Sequence, residues 1–436
     1  MIYRRRLKNP WAAAYHDWVV VPRRVKPAAV LVAVEGSDWK EAMSIESGPS
    51  AMERDLRLDF FRGLALFCIF IDHLPNNIVA EFTLQSVMFS DAAEVFILIS
   101  GYTAGMVYGR AMERQGFVIA GVRVYHRVWQ LYVAHVFLFM MFIAMVATTV
   151  GALNNSLYAE EFGAANFLDE PGVAVAKALT LQFQPAFMHI LPLYIALLAV
   201  LPFVLAGFRS WPGAMVFASF ALWLAVQFDK RIALPAYPGP DRVWPFNPLA
   251  WQALFFLGAW LGSRGIRGGV SWLSRRWLFC LAAGLSLAGF LIRFSWTLHG
   301  FYDPIPVLLS GKPLWLFLSK TDLGLLRFAN VLAIALLVAR LIHPQARFLA
   351  TRFARPFIIC GRNSLHIFCL GILLSVLGHL VLNEFFGGIA MQFAVSAAGV
   401  AIMISVAALM EWFVAARGAS GGSALGAPTA RRGARG

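Results

Sequence analysis

The stretch Arg57–Pro75, RLDFFRGLALFCIFIDHLP, is apolar along most of its length yet carries Asp59, Arg62, Asp72 and His73. A run of about 20 apolar residues spans the hydrocarbon of a bilayer, and this one has that length. A charged group at the bilayer centre costs at least about 2.5–3.5 kcal/mol, so each of these side chains needs a reason to be there. Arg62 and His73 stand eleven positions apart, about 1100° of helical rotation, or three turns plus about 20°. They therefore share a helix face, about 16 Å apart along its axis. With the amino-terminal end inside the cell, that face presents a cation near the entrance and an imidazole, a possible base, at depth. A plainer reading pairs Asp59 with Arg62 and hydrogen-bonds His73 within a helix bundle.

The rest of the chain repeats the apolar pattern. Of 436 residues, 59% are hydrophobic and 14% charged, and the mean hydropathy is +0.68. Soluble proteins average about 45–50% apolar and about 25% charged. The apolar runs fall at 58–78, 89–109, 128–150, 188–207, 212–228, 248–263, 276–296, 323–342, 356–381 and 390–416. The expected fold is an all-α integral membrane protein of about ten transmembrane helices. Charge sets its orientation. With the amino terminus inside, the inner segments 1–57, 110–127, 209–211, 264–276, 340–355 and 417–436 hold 27 Lys and Arg. The outer loops hold six: Lys177, Lys230, Arg231, Arg242, Lys312 and Lys320. Cytoplasmic loops carry such an excess, so both termini are expected in the cytoplasm and the chain in the inner membrane. The net charge of +14 is then a topological signal, and no nucleic-acid partner is needed to explain it.

Residues 1–53 read as a basic, poorly ordered cytoplasmic leader without a cleavable signal sequence. Met43 and Met52 are alternative starts. The membrane domain occupies 54–416, and the Gly/Ala/Ser/Arg-rich segment 417–436 reads as a disordered tail. Cys68, Cys280, Cys360 and Cys369 lie in or beside apolar runs. Without zinc-type spacing or a disulfide framework they read as small core residues, and no metal site is expected.

Further polar residues mark the other spans. The second contains Asp91, Glu94 and the pair Ser100-Gly101 in SDAAEVFILISGY. Glu94 could hold His73 or Asn76 from a facing helix, orienting an imidazole as a base. Ser100-Gly101 could instead serve close helix packing. Arg123 and Arg127, in VRVYHRVWQLYVAH, are spaced i, i+4 at the inner mouth. Two guanidinium forks there suit a phosphate-bearing ligand, although positive-inside anchoring explains them equally. His135 is a weaker candidate. The ninth span opens with CGRNSLHIFCLG, where Arg362, Asn363, Ser364 and His366 could line a ligand mouth or satisfy a kinked helix start. Arg293, Arg327 and Asn330 are isolated polar residues with no assigned partner.

Together these segments resemble a known superfamily. An Arg followed by ten residues and a His, Ser100-Gly101 after an aromatic-aliphatic run, and an Arg-rich entrance to the third span resemble the membrane acyltransferase-3 superfamily. RLDFFRGLALFCIFIDH, ILPLYIALL, FNPLAWQALFFLG and GRNSLHIFCLG resemble the OpgC family, over about residues 54–415. The resemblance implies an acyltransferase-3-like bundle that succinylates osmoregulated periplasmic glucans. It implies a cytoplasmic acyl-CoA donor, succinyl-CoA in that family, used as a substrate with no permanently bound cofactor, and a glucan hydroxyl as acceptor. Carried onto this sequence, His73 would be the general base, while Arg62, Arg123 and Arg127 would hold the CoA phosphates. Attack of a sugar hydroxyl on a thioester needs a positioned base, worth roughly 10²–10⁴-fold, and an unperturbed imidazole, with pKa near ~6.5, suits that task. Asn363 and Gln252 are candidate oxyanion donors. No nucleophile elbow or Cys–His pair points to an acyl-enzyme, so direct transfer is expected. The alternative from another class is a transporter or flippase for a sugar or lipid-linked substrate, since intramembrane Arg, His and carboxylates also mark transport paths.

Overall fold

The computed structural model describes residues 55–239, 241–264, 271–302, 306–309, 311–385 and 387–423. The expected leader at 1–53 and the last part of the tail, 424–436, lie outside them. Helix α1 (Leu56–Asp72) starts where Asp55 accepts a hydrogen bond from the Arg57 amide, and Asp59 sits in its first turn. An aspartate cap and a first-turn carboxylate both favour a helix amino terminus. The apolar run was expected to stay helical to residue 78, but α1 ends at Asp72. Pro75 disfavours helical backbone at the preceding residue, and Asn76 adopts a left-handed φ of 47°. The chain then folds into a short turn at Ile78–Phe82 before the next helix.

Helix α2 (Ala92–Leu153) begins with a capping box. The Asp91 side chain accepts from Ala93, and Glu94 reaches back to the Asp91 amide. At 62 residues it would measure about 93 Å, roughly three hydrocarbon thicknesses, so it cannot be one straight span. The break lies at Gly116, with φ 84° and ψ 173°, backbone that glycine adopts without a Cβ clash. The segment 110–127, expected as an inner loop, is therefore helical on both sides of Gly116. Good helix formers such as Ala111, Met112, Glu113, Arg114 and Gln115 carry the helix up to that glycine.

Further helices follow: α3 (Ile190–Ser210), α4 (Pro212–Phe228), α5 (Pro248–Arg264), α6 (Arg276–Phe301), α7 (Leu325–Leu341), α8 (Arg355–Arg362), α9 (Ser364–Glu384) and α10 (Ile389–Ser423). Of these ten, α2, α3, α6, α9 and α10 are long and apolar enough to cross a membrane, and α4 is a shorter apolar helix. Among the described residues the only β-structure is two isolated bridges, Phe183–Tyr237 and Pro235–Val243. The chain is thus an all-α, multi-pass membrane protein. The expected ninth span is divided between α8 and α9 at Asn363. Helix α10 runs to Ser423, past the expected start of the tail at 417.

Helix α5 makes the most extensive contact with α2, while α1 packs against α8, α9 and α2. The α2–α5 seam is built on small residues: a Cβ on Gly101 would overlap the Phe255 carbonyl, and one on Gly262 would overlap the Tyr102 carbonyl. In a bilayer, where lipid tails compete equally for apolar surface, such backbone approach is what holds two helices together. Trp223 and Trp251, both fully buried, pin the segment before α7. The Trp251 indole donates to the carbonyls of Lys320 and Thr321, and the Trp223 indole donates to that of Leu323.

Candidate functional site: a basic cavity and a buried ionic cluster

Arg62 lies in the first half of α1 and opens onto a cavity of about 160 Å³. Its walls come from both arms of α2 (Ser100, Thr103, Tyr108, Arg127), the start of α3 (Ile190, Leu191, Tyr194) and the start of α9 (Ser364, Leu365, Phe368). The Arg62 guanidinium donates to Thr103 Oγ1 at 2.8 Å and stands 4.0 Å from Asp59. Asp59 in turn faces Arg362 at 3.7 Å, which also meets Glu411 at 3.3 Å. A nearly buried carboxylate thus sits between two cations, one of which faces the cavity. Two guanidiniums, four hydroxyl-bearing tyrosine and serine side chains, the Thr103 hydroxyl and an apolar wall make a space suited to an anion with an organic tail.

A second group lies at the other end of α1. Asp91 and Glu94 share Arg327 of α7: its Nε reaches Glu94 at 2.5 Å and its Nη2 reaches Asp91 at 2.8 Å. Lys320 meets the same Asp91 at 2.7 Å. Paired charges of opposite sign with satisfied hydrogen bonds are the form in which ionic groups persist inside a protein. Burial works against the Lys320 charge, but Asp91 and then Glu94 hold its pKa above the usual lysine value. It therefore stays cationic at neutral pH, and its charge would be lost only on raising the pH beyond the ordinary lysine range. His73, at the carboxyl-terminal end of α1, packs against Phe187 with the rings tilted and their centroids 4.5 Å apart. Its Nδ1 is buried and makes no hydrogen bond among the described residues. His189, just before α3, is alike: its Nδ1 is buried without a partner, and its ring meets Phe246 edge-on at 6.1 Å. Lys320, His189 and Asp91 all lie close enough to His73 to act on it electrostatically.

The two groups adjoin along the chain at the cavity wall. Ile190, which follows His189, and Phe96, two residues beyond Glu94, both line the cavity that contains Arg62 and Arg127. Arg62, Arg127 and Ser364 thus line one cavity together with Ser100, for which helix packing was the expectation, while His73 stands at the neighbouring ionic cluster.

Several expectations are corrected. Glu94 does not orient His73: one of its oxygens binds Arg327 and the other accepts from the Asp91 amide. Arg123 and Arg127 do not act as a pair, because Arg127 lines the cavity whereas Arg123 is exposed and outside it. Asn363 donates to the Ile359 carbonyl and to Glu411, and Arg362 is held between Asp59 and Glu411, so neither lines the cavity. Gln252 exchanges hydrogen bonds with Ser219 across α4 and α5 and offers no oxyanion donor. Gly101 serves the α2–α5 seam. Asp72 accepts from Thr83 at 2.5 Å.

Sequence reasoning missed His189, Lys320, Thr103, Tyr108 and Tyr194, and left Arg327 and Asn330 unassigned. Asn330 accepts from the amide and hydroxyl of Ser90. Arg293 donates to the Gln85 carbonyl and lies over Trp296. The available signal for His189 was an imidazole at the mouth of an apolar run. Lys320 was legible only as an outer-loop charge.

No curated protein and no solved structure shows a significant match to the chain. The model of the family described as OpgC protein matches residues 54–415, which takes in α1, the cavity, the ionic cluster and most of α10, and the chain therefore belongs to the OpgC protein family.

Proposed function

We propose that this chain is a transmembrane O-acyltransferase that moves a succinyl group from cytoplasmic succinyl-CoA to a hydroxyl of a periplasmic glucan. The observation that carries the reading is that α1 brings Arg62 to the basic cavity and His73, eleven residues on, to the ionic cluster at its other end. In this proposal ten spans cross the inner membrane, α2 supplying two of them on either side of Gly116 and α8 with α9 together supplying one. Both termini lie in the cytoplasm. Arg62 and Arg127 receive the phosphates of the donor, whose acyl arm extends past Phe96 and Ile190 towards His73. The acceptor hydroxyl approaches from the periplasmic side. His73 takes its proton as the oxygen attacks the thioester carbon, the C–S bond breaks, and the proton passes to the departing CoA thiolate. Membership of the OpgC family supports modification of a glucan, and the donor and the acyl group follow from the resemblance and from the chemistry of the cavity.

The test is mass spectrometry of periplasmic glucans from cells with the chain, without it, and complemented with His73→Ala. The expected result is loss of succinyl-sized adducts in the deletion strain, restored by wild type but not by the variant, while the variant protein still accumulates in membranes. Unchanged glucans in the deletion strain would refute the acceptor, and full rescue by His73→Ala would remove the base.

A further inference from the structure

In the cluster around His73, one cation keeps an open head group. Arg327 is 13% exposed and commits Nε and Nη2 to Glu94 and Asp91. The Lys320 side chain is 46% exposed, and its ammonium stands 5.6 Å over the Phe246 ring, the same ring that His189 meets. An ammonium carries three donors, and Asp91 is the one carboxylate paired with it among the described residues. Because Asp91 is also bound by Arg327, Lys320 can turn one of its donors to another anion without leaving Asp91 unpaired.

The position of Lys320 is fixed although it belongs to no helix. Its carbonyl accepts from the buried Trp251 indole at 3.0 Å, and the Thr321 carbonyl accepts from the Asn247 amide at 2.9 Å. On its carboxyl-terminal side the Asp322 carbonyl accepts from Gln227 at 2.8 Å. A loop held at Lys320 and its two following residues by side chains of α4 and α5 places that ammonium against Asp91 and over Phe246 before any ligand arrives, which lowers the entropy lost on binding.

We infer that Lys320 receives the free carboxylate of a dicarboxylic acyl donor and so selects a succinyl-type chain over an uncharged one. This assignment rests on the acyltransferase reading. A second carboxylate carried on an acyl chain to the buried His73 is disfavoured unless it meets a cation or donors there. A charge-assisted pair with a preplaced ammonium supplies that partner. An acyl chain ending in a methyl group gives Lys320 nothing to bind, so the same residue discriminates between donors of equal length.

The experiment compares succinyl-CoA with butyryl-CoA, using purified full-length protein and a gluco-oligosaccharide acceptor and reading transfer to the sugar. Wild type is expected to prefer succinyl-CoA in kcat/KM. Lys320→Met should lower the succinyl-to-butyryl ratio by about ten- to a hundredfold, the span of one hydrogen bond to a charged group. Lys320→Arg should restore most of the ratio. An unchanged ratio in Lys320→Met, whether rates with both donors fall together or neither falls, would overturn the assignment. If Lys320→Met does not fold, the Lys320→Arg ratio and the wild-type preference still decide it: equal use of both donors by wild type refutes Lys320 as selector while leaving the acyltransferase reading intact. Transfer from neither donor would overturn that reading and this one with it.

Discussion

Arg123 and Arg127 are one helical turn apart in sequence, but the structure gives them different surroundings. Arg127 faces the cavity beside Tyr108 and Leu131, while Arg123 is exposed. Arg127→Ala is therefore expected to raise the KM for acyl-CoA by about tenfold or more, the value of one charged hydrogen bond, and Arg123→Ala to change it less than about twofold. Equal effects of the two substitutions on donor affinity would remove the cavity as the phosphate site. The individual polar residues were visible in the sequence because each breaks an apolar run. Their partners were not. Glu94 reads naturally as a companion for His73 in the adjacent span, but it binds Arg327, 233 residues further on. Only the packing of α7 against the start of α2 creates that pair, and no local spacing encodes it. His189 and Lys320 were missed for the same reason: each looks like loop-edge polarity until the fold sets both around Phe246.

At the level of helices the apolar runs were read closely, since hydrocarbon thickness fixes their length. The differences arise where backbone chemistry cuts across hydropathy: α1 stops before Pro75, and α2 continues through a basic segment expected to be a loop. Helix association is set by small residues instead. Gly101 and Gly105 of α2 face the carbonyls of Phe255 and Ala259 of α5, and Gly262 faces that of Tyr102. Ser100 and Thr103, which flank the seam residue Gly101 in sequence, line the cavity, so helix separation and cavity width are coupled. Gly101→Val must push α5 away from α2, and overpacking of this kind typically costs about 1–3 kcal/mol. The variant is expected to lower the thermal unfolding midpoint in detergent and to reduce acyl transfer with every donor alike, which distinguishes it from Lys320→Met. A melting profile equal to wild type would show that the two helices are not held by this seam.

On the scale of the whole molecule, function depends on which way the bundle faces. The Arg62 cavity and the His73 cluster lie at opposite ends of α1, so in the proposed reaction topology decides which side supplies the donor and which the acceptor. In the proposed orientation, argued from the excess of Lys and Arg in alternate connections, Arg62 faces the cytoplasm and Lys320 the periplasm. Two exposed positions test this directly. Asp241 lies in the connection between α4 and α5, and Gln345 lies between α7 and α8. In a background with the four native cysteines replaced, Asp241→Cys is expected to react with a membrane-impermeant maleimide in intact spheroplasts. Gln345→Cys should react only after the membrane is opened. The reverse pattern would put Arg62 and Arg127 on the outer side, where no acyl-CoA is available, and would turn the basic cavity into a site for a periplasmic anion. Labelling of both positions from outside would mean that the number of crossings between α4 and α8 is not the three that α5, α6 and α7 provide, and the His73 end would then have no assigned side from which a glucan could approach.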